Sequence, residues 1–297
     1  MSKKLSPLLI AAAGCLWGTL GIFVRKFEDY GISSMSIVFI RSLITAAITL
    51  SAAALYDKRL LKFRLRDIWI FIGMGLLSIV FFNYCYFTAV ALMSLSAAAI
   101  LLYTSPIFVM LLSVLLFKER VTKRKIISIA VSLAGLVLVT GVVGDAQDIT
   151  PVGILFGIGS AVGYSLYSIF SRTAINRGYD ALTVTGWSFA AAAVFSAFTA
   201  DFSALGNMIT LKPAMLLYTI AFAVCASVLP YMLYSKGLEN TENGRAAVIA
   251  SIEPVAATVF GMALYGEIPS PQSAVGIALV IAAMIVSNEK NKEACAE

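Results

Sequence analysis

The chain contains no histidine. That removes the commonest general acid and base and the usual metal ligand. Charge is scarce as well: Asp, Glu, Lys and Arg make up 13% of the 297 residues, about half the share in a soluble domain. The four cysteines form neither a metal-ligand spacing nor a disulfide framework. Cys15, Cys85 and Cys225 fall in apolar runs and read as small fillers, while Cys295 lies in the C-terminal tail. No Gly-rich phosphate loop, acidic metal-binding pair or Ser/Cys nucleophile beside a base is visible. No cofactor, no metal and no direct ATP coupling are expected. An enzyme would have to work with Glu253 and tyrosines alone.

What the chain has instead is apolar length. Hydrophobic residues make up 60% of it and the mean hydropathy is +0.91. Ten runs approach the roughly 20 residues needed to cross a bilayer: about Leu8–Val24, Met35–Tyr56, Ile68–Thr88, Ser94–Phe117, Ile126–Val143, Val152–Ser171, Ala181–Ala200, Ala214–Ser235, Ala246–Tyr265 and Gln272–Ser287. The expected class is an all-α integral membrane protein whose partner is the lipid bilayer. Lys3 and Lys4 before the first run imitate a secretion signal, but the run continues to Val24 and reads as an uncleaved helix.

The net charge of +6 sets topology rather than a nucleic-acid partner. With ten alternating spans and a cytoplasmic N-terminus, eighteen Lys and Arg fall in cytoplasmic segments. Only Arg25, Lys26 and Lys212 fall outside, and Arg41 lies within a span. This is the asymmetry of the positive-inside rule. It puts both termini in the cytoplasm and the link Asp145–Pro151 outside.

The two halves are related. A shift of 148 residues lays Pro106 on Pro254 and Glu119 on Glu267, a shift near 146 lays Arg41 on Trp187, and one near 145 lays Gly18 on Gly163. Residues 1–147 and 148–297 thus read as two five-helix repeats. Because five is odd, they enter the membrane from opposite sides, as in inverted-repeat transporters. An inverted repeat with proline-broken helices suits alternating access better than a channel.

Trp17-Gly18, Arg41, Pro106 with Glu119-Arg120, and the second copy Glu253-Pro254 with Gly266-Glu267 carry a resemblance to the drug/metabolite transporter superfamily, specifically its EamA family. The resemblance covers roughly Leu8 to Ser287. It implies ten transmembrane helices as two inverted repeats and a plasma-membrane secondary transporter of a small organic metabolite. Amino-acid export is implied by the resemblance alone. A lipid or lipid-linked headgroup flippase and, from another class, a membrane-embedded enzyme are the alternatives. Monomer and homodimer are both compatible with it.

The candidate site is centred on Glu253, a carboxylate in the apolar run Arg245 to Gly266. An acid at membrane depth faces a cavity or a partner, and Pro254 frees a carbonyl beside it. Glu253 reads as a solute contact, a proton site or a structural hydrogen bond. Ser160, Tyr164, Tyr167, Ser168 and Ser171 share one face of the sixth span. Asn83 and Tyr86 in the third span, Tyr103 in the fourth and Tyr231 in the eighth add polar tips that suit a solute of mixed character. Trp17 is either a cavity wall or packing at a close helix crossing. Ala246, Ala250, Ala257 and Gly261 are spaced to share a face with Glu253. Arg41, Pro106, Pro230 and Pro254 read as structural or gating residues, with Arg41 snorkelling to headgroups or capping carbonyls. Glu119 reads as a solvated or loop-anchoring group.

The topology is open to a direct test. A cysteine introduced at Lys62 is expected to react only from the cytoplasmic side, and one at Asp148 only from outside intact cells; the reverse labelling would invert the orientation.

Overall fold

In a computed structural model, residues 5–141, 150–266, 268 and 270–288 are described, and every regular element among them is helical. The helices are α1 (Ser6–Trp17), α2 (Leu20–Glu28), α3 (Ser34–Tyr56), α4 (Ile68–Gly73), α5 (Phe82–Leu92), α6 (Leu95–Leu102), α7 (Ser105–Phe117) and α8 (Lys123–Thr140). The second half holds α9 (Pro151–Asn176), α10 (Ala181–Ser196), α11 (Phe202–Leu211), α12 (Ala214–Ala223), α13 (Leu229–Leu238), α14 (Asn243–Ala250), α15 (Glu253–Tyr265) and α16 (Pro271–Asn288). Glu267, the expected mate of Glu119, and most of the 145–151 link lie outside the described residues.

Eight helical stretches are long and apolar enough to cross a membrane: Ser6–Phe27, Ser34–Tyr56, Leu65–Leu92, Leu95–Phe117, Pro151–Asn176, Ala181–Thr199, Ala214–Leu238 and Asn243–Tyr265. The other two expected spans form helices that fall short on those grounds. Lys123–Thr140 opens on three basic residues, and the apolar part of the last helix, Pro271–Ser287, is short. An additional helix, α11, lies between the expected spans Ala181–Ala200 and Ala214–Ser235.

Several of these stretches are interrupted, and the interruptions have causes. Hydrocarbon supplies no hydrogen-bond partners, so a broken helix must re-satisfy its backbone internally. Pro106 stands in the first turn of α7 and Pro254 in the first turn of α15, where their missing N–H costs nothing. The turns before them, at Tyr103–Thr104 and Ser251–Ile252, separate α6 from α7 and α14 from α15. Two π-helical segments, Met74–Phe81 and Val224–Val228, join α4 to α5 and α12 to α13. Pro230 follows the second of them, at the start of α13.

These features repeat along the chain. Adding 148 to the bounds of α6, α7 and α8 gives those of α14, α15 and α16. The left-handed Lys118 that ends α7 maps onto the left-handed Gly266 that ends α15. Packing is reciprocal too: α3 packs on α10 and α8 on α16, while α1 lies against α13, α14 and α15 as α9 lies against α5, α6 and α7.

Glycines allow the closest crossings. A Cβ on Gly276 would come within 2.5 Å of the Gly135 carbonyl oxygen and 2.7 Å of the Val139 amide, both backbone atoms that cannot step aside. Gly18 likewise lies against the Glu253 carbonyl oxygen and the Ala257 amide, each 2.8 Å from a built Cβ. Trp17 and Gly18 therefore serve separate purposes: the glycine makes the crossing with α15 and the indole is directed elsewhere.

Gly276→Ala should lower stability by about 1–3 kcal/mol, read as a lower melting temperature in detergent. Gly206→Ala, with nothing near its Cβ, should be neutral or stabilising by up to about 1 kcal/mol. Equal melting of both variants would refute the backbone contact.

Candidate functional site

The interior cavity lies where α1, the first π segment, α5, α9 and α13 meet. Its walls are Trp17, Ser78, Phe82, Tyr164, Tyr167, Ser168, Tyr231 and Tyr234. Of the expected face of α9, Tyr167, Ser168 and Ser171 bond across to α13, while Ser160 donates to the Gly157 carbonyl of its own helix. Tyr167 Oη and Ser235 Oγ are 3.2 Å apart, Ser168 Oγ and Tyr234 Oη 2.6 Å, and Ser171 Oγ and Ser235 Oγ 3.1 Å. The aromatic rings pack mostly edge to face, their preferred arrangement. Trp17 lies 5.2 Å from Tyr231 and 6.3 Å from Tyr164, and Tyr231 lies 4.7 Å from Tyr167 between ring centroids. Gaps among these groups total about 290 Å³ with the mouth included, but a water-sized sphere finds room over only about 10 Å³. That holds one water at most. In this conformation the rings occupy the site themselves.

Glu253 stands at the first residue of α15, partly buried, with Tyr164 Oη donating to its Oε2 at 3.3 Å. The carboxylate thus touches the cavity through a wall residue. Two wall donors, the Trp17 indole Nε1 and the Ser78 hydroxyl, have no hydrogen-bond partner among the described residues. Buried donors of this kind cost about 1–3 kcal/mol each when left unmade, so a solute that accepted from them would be favoured.

Of the residues singled out from sequence, the structure brings Trp17, Tyr164, Tyr167 and Tyr231 to the cavity and hangs Glu253 on Tyr164. Tyr86 stands one layer away, stacked on Phe82 at 6.3 Å. Tyr103 ends α6 at the turn before α7 and packs with Leu136 and Val255. Both lie within electrostatic reach of Glu253. Asn83 is buried but spends its amide on its own helix, donating to the Ile79 carbonyl at 2.7 Å. Ala246 and Ala250 do not share a face with Glu253, because the Ser251–Ile252 break puts them on a different helix, and Ala257 is exposed. Sequence reasoning missed Ser78 and Phe82. A π turn carries extra residues per turn, so a face counted at the α-helical period drifts by the time it reaches them.

Arg41 neither snorkels nor caps. It is 3% exposed, its guanidinium lies 5.7 Å from the Phe222 ring centroid, and its Nε has no hydrogen-bond partner. Trp187, its counterpart in the repeat, instead donates from Nε1 to the Leu61 carbonyl at 3.1 Å.

Two polar clasps close the face that carries the basic segments. In one, Asp67 accepts from the Tyr179 hydroxyl at 2.6 Å and pairs with Arg177. Burial and that hydrogen bond hold the Tyr179 phenol above its ordinary pKa. In the other, Glu119 accepts from the Asn243 amide at 2.9 Å and from Lys125 Nζ at 3.4 Å, and Lys125 also meets Glu242 at 2.8 Å. Glu119 is thereby a loop anchor: it caps the α14 N-terminus, where a negative charge is favoured. Arg172 completes this clasp, donating to Asn243 Oδ1 at 2.9 Å and to the Thr241 carbonyl.

The sequence model of the EamA-like transporter family matches residues 4–141 and 151–288, one copy in each half. An uncharacterized transporter of Archaeoglobus fulgidus is 27% identical over 286 residues, covering 94% of both chains. A second from that organism is 25% identical over 296 residues, covering 99% of this chain and 100% of its own. The uncharacterized transporter YetK of Bacillus subtilis is 23% identical over 267 residues, covering 86% of this chain and 78% of its own. A solved crystal structure superposes with a TM-score of 0.79 at 22% identity over 97% of each chain, a likeness of fold.

Replacing Glu119 by Ala strips the acceptor from the α14 N-terminus and from Lys125. Melting in detergent should fall by the equivalent of about 1–3 kcal/mol. An unchanged melting temperature would mean that the clasp is screened by solvent and holds nothing.

Proposed function

The chain belongs to the EamA-like transporter family, and from that premise we propose that it is a secondary transporter moving a small organic metabolite across the plasma membrane by alternating access. The observation that carries this reading is the cavity itself: a ring of tyrosines and Trp17, polar at the tips and apolar on the faces, with Glu253 reached through Tyr164. Mixed solutes bind in sites of that composition.

In this reading the ten helical stretches all span the bilayer, as two inverted five-helix repeats divided near residue 147. The shared bounds of α6–α8 and α14–α16 and the reciprocal packing of α1 and α9 support it. The eighteen-to-three charge bias supports cytoplasmic termini, which makes the clasps at Asp67 and Glu119 cytoplasmic closures. The conformation is then an occluded one, with room for little more than a water in the site. Opening toward the cytoplasm requires the clasps to part, and the breaks before Pro106 and Pro254 are the natural hinges. The transported solute is an amino acid or a related metabolite, and export is the direction.

Glu253 in this scheme holds either the solute's cationic group or an exchangeable proton. Glu253→Gln keeps the size and the hydrogen bond from Tyr164 while removing the ionisable group. The variant should insert and melt normally yet lose most transport in proteoliposomes supplied with amino acids, other metabolites and cationic drugs. If protons are exchanged, it should lose the pH dependence of the rate instead. Wild-type rates and pH profile in a well-folded Glu253→Gln protein would make the acid structural.

A further inference from the structure

Helix α14 is held at its N-terminus by other parts of the chain. Elsewhere Ser33, Ser94, Thr122, Thr150, Asp180 and Asp201 each cap the helix they precede, accepting from a backbone N–H of its first turn. The repeat puts Glu242 where Ser94 caps α6, and the Glu242 side chain makes no such bond. The N–H groups of Asn243 and Gly244 go instead to Glu119, at 2.9 and 3.5 Å. Arg172 of α9 donates to Asn243 Oδ1 at 2.9 Å and to the Thr241 carbonyl. A helix capped from elsewhere loses its cap when the elements part.

The far end of the same unit is held by the same helix. α9 runs unbroken from Pro151 to Asn176, and eight residues, about 12 Å, separate Tyr164 from Arg172. Arg172 holds the start of α14, and Tyr164 holds Glu253, just past the turn that ends it. Between the two points α14 is a stiff connector: all of it except Arg245 is buried, and it packs on α1, α7 and α16. The two contacts are unequal. The Tyr164 hydroxyl lies 3.3 Å from Glu253, long for such a bond, while the clasp has several shorter ones.

We propose that Arg172 is a positioning residue that couples the solute site to the cytoplasmic clasp: acting through α14, it sets Glu253 against Tyr164 and favours the closed, collapsed cavity. This deepens, and rests on, the transporter reading above. A solute that takes Glu253 from Tyr164 frees one of the two points at which α9 holds α14 and α15, and the clasp loosens in response. Linkage makes the coupling mutual. Loosening the clasp must then raise the affinity of the cavity, because more of the protein is in the form that binds. Removing a residue that only braced the fold would weaken binding or leave it unchanged.

The first test needs no solute. In the full chain in lipid nanodiscs, hydrogen–deuterium exchange read by mass spectrometry reports on the Asn243 and Gly244 amides. Tyr164→Phe keeps the ring and removes only the hydroxyl, and exchange at those amides should quicken about fivefold or more. Glu253→Ala breaks the same bond from its other side and should match it. Tyr167→Phe removes a wall hydroxyl that meets Ser235 rather than Glu253, and should exchange at the wild-type rate. The second test offers a panel of L-amino acids, other metabolites and cationic drugs. Binding is read from tryptophan fluorescence, since Trp17 is in the wall, and transport is read in proteoliposomes. Arg172→Gln should lower the dissociation constant about 5- to 50-fold while slowing maximal transport, because the closed form through which the cycle passes is less populated. Exchange in Tyr164→Phe no faster than in wild type or Tyr167→Phe would overturn the coupling. Weaker or unchanged binding by Arg172→Gln would also overturn it and make Arg172 a brace, with the transporter reading intact. If nothing in the panel binds or moves, the transporter reading falls, and the exchange test by itself decides whether Tyr164 and the clasp are coupled.

Discussion

Hydrocarbon offers no hydrogen bonds, and the rest of this structure follows from that constraint. Every helix that breaks at membrane depth must do so against protein. The breaks at Tyr103–Thr104 and Ser251–Ile252 and the two π segments sit among packed helices, and three of the four adjoin a proline. These are the places where side chains leave the regular helical faces. They are also where the candidate chemistry gathers: Glu253 opens α15 directly after one break, and Ser78 lies within a π segment that leads into Phe82. The candidate site thus lies where the backbone departs from the regular helix.

The same constraint explains the division of labour among charges. Several on the basic face have partners within the fold: Asp67 pairs with Arg177, Lys125 with Glu119 and Glu242, and Arg172 donates to the Asn243 side chain and the Thr241 carbonyl. They hold segments together and are satisfied by the fold. Glu253 and Arg41, deeper in the chain's apolar interior, are provided for only in part. One has a single long hydrogen bond from Tyr164, and the other has an aromatic face.

The internal repeat is unequal in the same way. Glu253 takes the place that Ser105 holds in the first half, Arg41 that of Trp187 in the second, and Tyr231 that of the half-exposed Tyr84. The backbone frame is repeated and the chemistry is not.

Apolar run length and the scarcity of charge determined that this chain is a helical membrane protein, because those properties depend on composition alone. The prolines, repeated at a separation of 148 residues, marked where the helices break, because a missing N–H acts locally. The tyrosine and serine face of α9 was legible for a similar reason, since an uninterrupted helix keeps its period. Tertiary structure alone decided that Asn83 bonds to its own helix while Ser78 and Phe82 reach the cavity, because a π turn rotates all that follows it. It separated Ala246 and Ala250 from Glu253 by a turn between two helices, and buried Arg41 beside Phe222 with no ion pair among the described residues. Such facts depend on which helices meet, and helices that are apolar on every side carry no stripe to announce their neighbours.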